Sequence, residues 1–548
     1  MTPQDDAAHV DLVVVGAGFA GLYMTHQAQQ SGLSVQGIEA APDVGGTWYW
    51  NRYPGARCDI ESFDYSYSFD DDLQQQWQWT EKFATQPEIL RYLNHVADRF
   101  DLRRSFRFGV RVEAATFDET SGLWQVTNSD GSIVTAQFCV LATGCLSSAN
   151  IPDFDGLEDF RGRTFHTGQW PHEVVDFTNR RIGVIGTGSS GVQCIPMLAQ
   201  QADEVLVFQR TPNYSLPAFN EPLDPSVIDL RKADYPAYRE RARYSFTGVP
   251  VDTPTRATFE VTQSERLATY EAAWESGKYG ALLRTYTDLM TRRDANDTAA
   301  EFVRSKIRAI VHDARTAELL QPDFAFGTKR TCLDTGYFET YNRENVRLID
   351  VRSEPITGLV EDGVVTTRGR FPVDDLVFAT GFDAITGAIL HIDIRGRGEK
   401  SLSDKWSAGP RTYLGLMTAG FPNLFFITGP GSPSVLSNMV VSIEQHVEWI
   451  SDCVTALIDS GHRTVEATTS AEDAWVETVN DEANATLYPT TATWYLGANI
   501  PGKQRVFMPY VAGVGKYRRL CEQIASDGYR GFAFDADATS ESPTMAGA

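Results

Sequence analysis

Two glycine-rich loops, a repeated A-T-G strand end and one long stretch poor in strand signals predict the fold class. The chain reads as α/β, with two Rossmann-like dinucleotide-binding domains and a helical insertion in the second. The loops are Gly16-Ala-Gly18-Phe-Ala-Gly21 and Gly186-Thr187-Gly188-Ser189-Ser190-Gly191. The repeated strand ends are Val140-Leu-Ala-Thr-Gly144 and Val377-Phe-Ala-Thr-Gly381.

Each element follows from its residues. Asp11-Leu-Val-Val-Val15 is a β-branched run of the buried parallel type, followed by the first loop and a helix to Gln30. Ser34-Val-Gln-Gly-Ile-Glu39 is a second strand ending in an acid, which completes the dinucleotide-binding context. Arg181-Ile-Gly-Val-Ile185 repeats the opening before the second loop, and Glu204–Gln209 supplies its next strand. From first glycine to A-T-G glycine, the second unit is longer by about 67 residues. The excess falls in 220–328, where Asp234–Tyr244, Ser264–Trp274 and Ala299–Ala317 carry helical spacing. After Gly381 the chain is expected to return to the first unit, with Pro422-Asn-Leu-Phe-Phe-Ile427 as its closing strand. The expected domains are therefore 1–147 and 382–535 for the first unit, 148–219 and 329–381 for the second, 220–328 for the insertion, and a disordered tail over 536–548.

Composition narrows the class. A chain of 548 residues is too long for one ordinary core, and no apolar run is long enough to span a bilayer. The N-terminus lacks a basic signal-peptide region. The net charge of −24 disfavours nucleic acid and anionic membranes as partners. Seven dispersed cysteines without a C-x-x-C pair fit reduced thiols in the cytoplasm, and no metal site is expected.

The residues after each loop discriminate the ligands. Glu39 can accept both hydroxyls of an unphosphorylated ribose, as FAD requires. Arg210 and Thr211 occupy the corresponding place in the second unit, where a guanidinium can grip a 2′-phosphate bidentately; this favours NADPH over NADH. Two such sites in one chain point to electrons passing between cofactors.

Between the loops runs Phe160-Arg-Gly162-Arg-Thr-Phe-His166-Thr-Gly-Gln-Trp170-Pro171. The pattern F-x-G-x-x-x-H-x-x-x-W-P resembles the fingerprint of type I Baeyer–Villiger monooxygenases, in the branch of phenylacetone and steroid monooxygenases. Gly45-Gly-Thr47-Trp48-Tyr-Trp-Asn-Arg52-Tyr-Pro-Gly55-Ala-Arg-Cys-Asp59 is similar to a second element of that family. The resemblance covers roughly residues 10–533. It implies an FAD- and NADPH-dependent enzyme that uses O2 to convert ketones to esters or lactones, through a flavin C4a-peroxide and a Criegee adduct. It implies FAD contacts from Gly16, Gly18, Gly21, Glu39, Thr47, Trp48, Asp59, Tyr65 and Met439. NADPH contacts are implied for the second loop, Arg210, Thr211, Lys329, Arg330 and Trp494, the last on a mobile loop. In Phe326-Gly-Thr-Lys329-Arg330, Arg330 is implied as the catalytic cation, with Asp59 as the partner that orients it. Ile60, Cys145, Leu146, Val435, Leu436 and Met508 are implied as an apolar substrate pocket, favouring aryl, cyclic or long-chain ketones. The fingerprint is expected as a helix or loop that couples the two domains, with His166 outside the chemistry.

Three other readings remain at this level. An N- or S-oxygenating flavin monooxygenase shares both loops, although the W-P ending and the Lys329-Arg330 pair speak against it; sulfide oxidation is also expected of the resembling family. A disulfide reductase would need C-x-x-C. A non-enzymatic flavoprotein would change shape with NADPH without consuming it.

Overall fold

Ala8–Val15 forms the middle of an eight-stranded sheet in the computed structural model, which describes residues 8–535. The tail expected over 536–548 lies outside the described residues. Ala8–Val15 pairs in parallel with Val35–Glu39 on one side and Ile133–Leu141 on the other. Its last four residues are buried, as a strand covered on both faces requires. Phe106–Phe108 extends one edge of the sheet. Leu123–Asn128 and Val112–Asp118 join antiparallel on the other side. The late segment supplies Asp393–Arg395 and Leu424–Phe426 to this same sheet, the latter pairing through Leu424↔Cys139.

The second sheet is wholly parallel, in the order Val346–Asp350, Glu204–Gln209, Arg181–Ile185, Asp375–Phe378, Arg163–His166. Both sheets solve the same packing problem at their glycine loops. Gly16 has φ +108°, and a Cβ there would lie 2.6 Å from the carbonyl oxygen of Ala142. Gly186 has φ +109°, and its Cβ would lie 2.4 Å from that of Ala379. The repeated A-T-G strand ends are thus the surfaces on which the two loops turn, and only glycine fits.

The fingerprint departs from the expected helix or loop. Arg163–His166 is the edge strand of the second sheet, in register Arg163↔Asp375 through His166↔Phe378. Asp375 is fully buried, and two guanidiniums hold it: Arg163 (Nε, 2.8 Å) and Arg180 (Nη2, 2.8 Å). A buried carboxylate needs such pairing. Trp170 stacks on Phe165 with ring centroids 5.1 Å apart. Gly162 is required, because a Cβ would meet the Asp374 carbonyl at 2.3 Å. The segment belongs to the body of the second sheet.

Four longer helical pieces fill the insertion: Pro225–Arg243, Gln263–Glu275, Arg293–Ile310 and Ala314–Leu319. The helical pattern read over Ala299–Ala317 is interrupted at Val311–Asp313, where the Asp313 carboxylate accepts from the Thr316 amide at 2.8 Å and starts a new helix. Short strands Ser215–Pro217 and Cys332–Asp334 pair in parallel, so the chain leaves and re-enters through one ribbon. Pro225–Arg243 nevertheless docks on the first unit: Tyr238 donates to Asp64 (2.8 Å), and Arg239 donates to Gln74 (2.9 Å).

Among the described residues no helix is long and apolar enough to cross a membrane. No group of three or more His, Cys, Asp or Glu there could hold a metal ion. All seven cysteines are buried and unpaired.

Candidate active site

One continuous cavity of about 1440 Å³ reaches both glycine loops. That exceeds the 300–1,000 Å³ or so of a typical single-ligand site and suits two dinucleotides side by side. The helices Phe19–Gln30 and Ser189–Ala199 begin at Gly18 and Gly188, and neither has a side-chain cap. Their first-turn residues line the cavity, so uncapped amides and the positive helix ends meet it at two places. A Cβ on Gly188 would meet nothing within 4 Å; the approach there is open. These features fit two pyrophosphates. The third glycines serve packing instead. A Cβ on Gly21 would lie 1.7 Å from the Gly16 carbonyl oxygen, one on Gly191 2.4 Å from that of Gly186, and neither residue lines the cavity.

Glu39 sits at the cavity wall, buried. Its oxygens accept from the amides of Ala17 (2.6 Å) and Ala41 (2.7 Å), which ties the loop to the strand end. Burial raises its pKa, and these amide bonds oppose the rise. Each oxygen keeps a lone pair for a ribose hydroxyl. Thr47, Trp48, Tyr65 and Met439 line the same end, and the Trp48 indole donates to the Tyr65 hydroxyl at 3.2 Å.

At the other end, Arg210 lies exposed on the rim, and the Thr187 hydroxyl donates to the Thr211 carbonyl (2.9 Å). The Lys329 ammonium sits 4.7 Å from the centre of the Phe324 ring. Burial lowers its pKa, and the nearby Arg210 cation lowers it further. Two cations held close together are what a doubly charged phosphate would relieve. Arg352, absent from the sequence reading, joins them: it donates to the Arg210 carbonyl (3.4 Å) and pairs with Asp323 (2.9 Å).

Between the two ends stands Arg330. It grips Asp59 with two parallel bonds, Nε to Oδ2 at 2.6 Å and Nη2 to Oδ1 at 2.8 Å, and Nη1 donates to the Val435 carbonyl at 2.8 Å. The two side chains are 19% and 18% exposed, enough to touch the cavity that both line. Burial is the largest single influence and works against the Arg330 charge, but Asp59 together with Tyr279 and Tyr495 overcomes it and raises the pKa well above the ordinary arginine value. Three of the five guanidinium N–H bonds are taken, which leaves two for a ligand.

Ile60, Cys145, Leu146 and Val435 line the cavity. Leu436 and Met508 do not. Both pack in the apolar cluster that also holds Cys145, Leu146 and Val435, so they adjoin the cavity wall without being part of its lining. Trp494 lines the cavity on a loop tied down by Asn499, which donates to the Phe382 carbonyl (2.7 Å), and by the Lys503–Asp383 ion pair.

None of Phe160, Gly162, His166, Trp170 or Pro171 lines the cavity. His166 Nδ1 accepts from the Gly168 amide at 2.9 Å, and Nε2 lies 3.3 Å from the Thr380 hydroxyl. Burial lowers its pKa. The histidine thus fastens the fingerprint to the second A-T-G end. A comparable fastening at Gln193 escaped the sequence reading: it accepts from the Tyr53 hydroxyl (2.8 Å) and donates to the Arg57 carbonyl (3.1 Å), joining the second nucleotide-binding helix to the loop that carries Asp59. A glutamine one turn and a half into a dinucleotide helix carries no recognisable sequence signal.

Comparisons with known proteins agree with this geometry. Residues 10–234 match the family described as pyridine nucleotide-disulphide oxidoreductase, which reflects the dinucleotide fold, since no cysteine pair is present. A Baeyer–Villiger monooxygenase of Pseudooceanicola batsensis is 43% identical over 97% of this chain and 97% of its own. An oxidised steroid monooxygenase bound to NADP is 51% identical with a TM-score of 0.92, covering 96% of this chain and 99% of that one. A cyclohexanone monooxygenase from Rhodococcus sp. Phi1 bound to NADP+ is 42% identical with a TM-score of 0.95, over 97% and 100%. With both loops, the fingerprint and the Arg330–Asp59 pair in one continuous fold, the chain belongs to the type I Baeyer–Villiger monooxygenases, a family of flavoprotein oxidoreductases.

Proposed function

We propose that the enzyme converts apolar ketones to esters or lactones at Arg330, consuming NADPH and O2. The overall balance is ketone + O2 + NADPH + H+ giving ester + NADP+ + H2O. The observation that carries this reading is the Arg330–Asp59 pair standing in a cavity shared by both nucleotide loops. FAD at the first loop, reduced by NADPH at the second, would supply the activated oxygen.

The chain's own residues do the rest. The amides at Gly18 and Gly188 bind the pyrophosphates, and Glu39 orients the FAD ribose. Arg210 and Lys329 hold the 2′-phosphate. Arg330 directs its two remaining N–H bonds at oxygen atoms that gain negative charge, and it stays protonated throughout, so it stabilises an anion without surrendering a proton. Asp59 and the Val435 carbonyl fix the direction of the guanidinium within its own plane. Ile60, Cys145, Leu146 and Val435 exclude water and favour an aryl, cyclic or long-chain substituent. Trp494 and its loop cover NADPH. The unpaired thiols support a reducing, cytoplasmic setting.

A panel of aryl, cyclic and linear ketones, with a sulfide alongside, tests the assignment by product rather than by NADPH loss. Ester formed in proportion to NADPH is expected for at least one ketone class. Sulfoxide with no ester from any ketone would overturn it. Arg210→Ala is expected to raise KM for NADPH about ten- to a hundredfold, the loss of one charge-assisted contact, with little change for NADH. Steady-state constants unchanged from the parent enzyme for both nucleotides would remove Arg210 from the phosphate site.

A further inference from the structure

The geometry points to Tyr279 as a positioning residue for Arg330, setting the tilt of the guanidinium that the Asp59 fork leaves free. The inference rests on the reading of Arg330 as the oxygen-transfer cation. The guanidinium carbon lies over the Tyr279 ring, 4.9 Å from its centre. Asp59 and Val435 bind through N–H bonds that lie in the guanidinium plane, so they constrain rotation within it; a ring over the face constrains rotation out of it.

Tyr279 is delivered by a turn built for the purpose. It follows the helix Gln263–Glu275 and precedes a short helical turn at Leu282–Arg284. Gly277 and Gly280 flank it with φ of +56° and +65°. A Cβ on Gly277 would lie 2.6 Å from the Ala218 carbonyl oxygen, so the turn is pressed against the strand that opens the insertion. Arg284 donates back to the Tyr279 carbonyl at 2.6 Å. From the first unit, the Lys82 ammonium donates to the carbonyls of Ser276 (3.2 Å) and Gly277 (3.0 Å).

The ring also packs against both large apolar cores, that of the first unit and that shared by the second unit and the insertion. Asp59 comes from the first unit, Tyr279 from the insertion and Arg330 from the segment just before Cys332–Asp334, where the chain re-enters the second unit. The guanidinium is therefore fully placed only when all three are seated together. Without the ring, reducing equivalents from NADPH still reach O2, but as NADPH + H+ + O2 giving NADP+ + H2O2.

Tyr279→Leu removes the aromatic face and Tyr279→Phe keeps it. In the FAD-loaded enzyme with cyclohexanone as probe, Tyr279→Leu is expected to reduce flavin within about twofold of the parent rate. Its ester yield per NADPH should fall about tenfold, the scale of one partly buried cation–π contact, with peroxide making up the difference. Tyr279→Phe restores most of the ester. Labelling by phenylglyoxal, read by peptide mass, should rise at Arg330 in Tyr279→Leu alone, which gives a measure independent of turnover. Full ester yield from Tyr279→Leu, while Arg330→Ala makes none, would overturn the positioning role and leave the Arg330 reading intact. Equal loss of melting temperature, reduction and ester in both variants would reduce Tyr279 to packing. Ester formation by Arg330→Ala would instead defeat the underlying reading.

Discussion

Arg330→Ala will still reduce its flavin with NADPH but will lose ester formation by at least about a thousandfold. One preorganised donor to a developing anion is worth about 10²–10³ in rate, and Arg330 offers two N–H bonds together with a full charge. Deletion also strands Asp59, whose carboxylate loses both bonds at 2.6 and 2.8 Å. Arg330→Lys will not rescue the reaction, because an ammonium cannot reproduce the parallel fork on Asp59 and the third bond to Val435. The check is a stopped-flow record of flavin reduction beside chromatography of the product. Normal reduction with normal ester in Arg330→Ala would place the chemistry elsewhere in the cavity. Because the arginine pKa is raised, no loss of rate at alkaline pH should trace to Arg330.

The second large effect is on stability in acid. His446, on the helix Met439–Asp459, is completely buried. Its Nδ1 accepts from the Thr428 amide at 2.9 Å, and its Nε2 lies 3.0 Å from the Tyr517 hydroxyl, which in turn donates to the Leu414 carbonyl. Such a chain requires a neutral ring with its proton on Nε2. Burial pushes the pKa down to about 3, against 6.5 for the free side chain. The folded form thus refuses a proton that the unfolded chain accepts. The contribution is fully present above pH 6.5 and is lost progressively as pH falls toward 3, a total of about 5 kcal/mol. That is a large part of the roughly 5–15 kcal/mol that stabilises a typical domain. His446→Gln can accept from Thr428 and donate to Tyr517 without titrating. Its denaturation midpoint should change less than the parent's between pH 6.5 and pH 4; parallel curves would show that His446 does not govern the acid limb. Since Thr428 lines the cavity, acid should loosen the active-site wall early.

The elements that could be read from sequence are those whose physics is local. A glycine that must turn under a carbonyl, a strand ending in Glu39 and an arginine following the second strand each carry their reason within a few residues. Helical spacing located the insertion but missed the break at Val311–Asp313, because one capping aspartate does not disturb the apolar period. The strand within the fingerprint is illegible in the sequence for a related reason. Arg163–His166 is an edge strand of four residues whose stability comes from Asp375, two hundred residues away, and no alternation of side chains announces it. Met508 illustrates the limit for pockets, since an apolar residue beside a cavity and one facing it have the same sequence pattern. Tyr279 and Gln193 act only by meeting partners far along the chain, and nothing near them distinguishes them from other surface-loop or helix residues.

The ribbon of Ser215–Pro217 and Cys332–Asp334 carries an evolutionary consequence. Both ends of the insertion are clamped at one place, two residues past Arg330, so the intervening helices can drift, lengthen or be exchanged while the arginine keeps its place beside the ribbon. Descent could therefore diversify the walls around a ketone without rebuilding the machinery that activates oxygen. Relatives acting on very different carbonyl compounds are the expected product of a scaffold whose variable part is hinged at a fixed point.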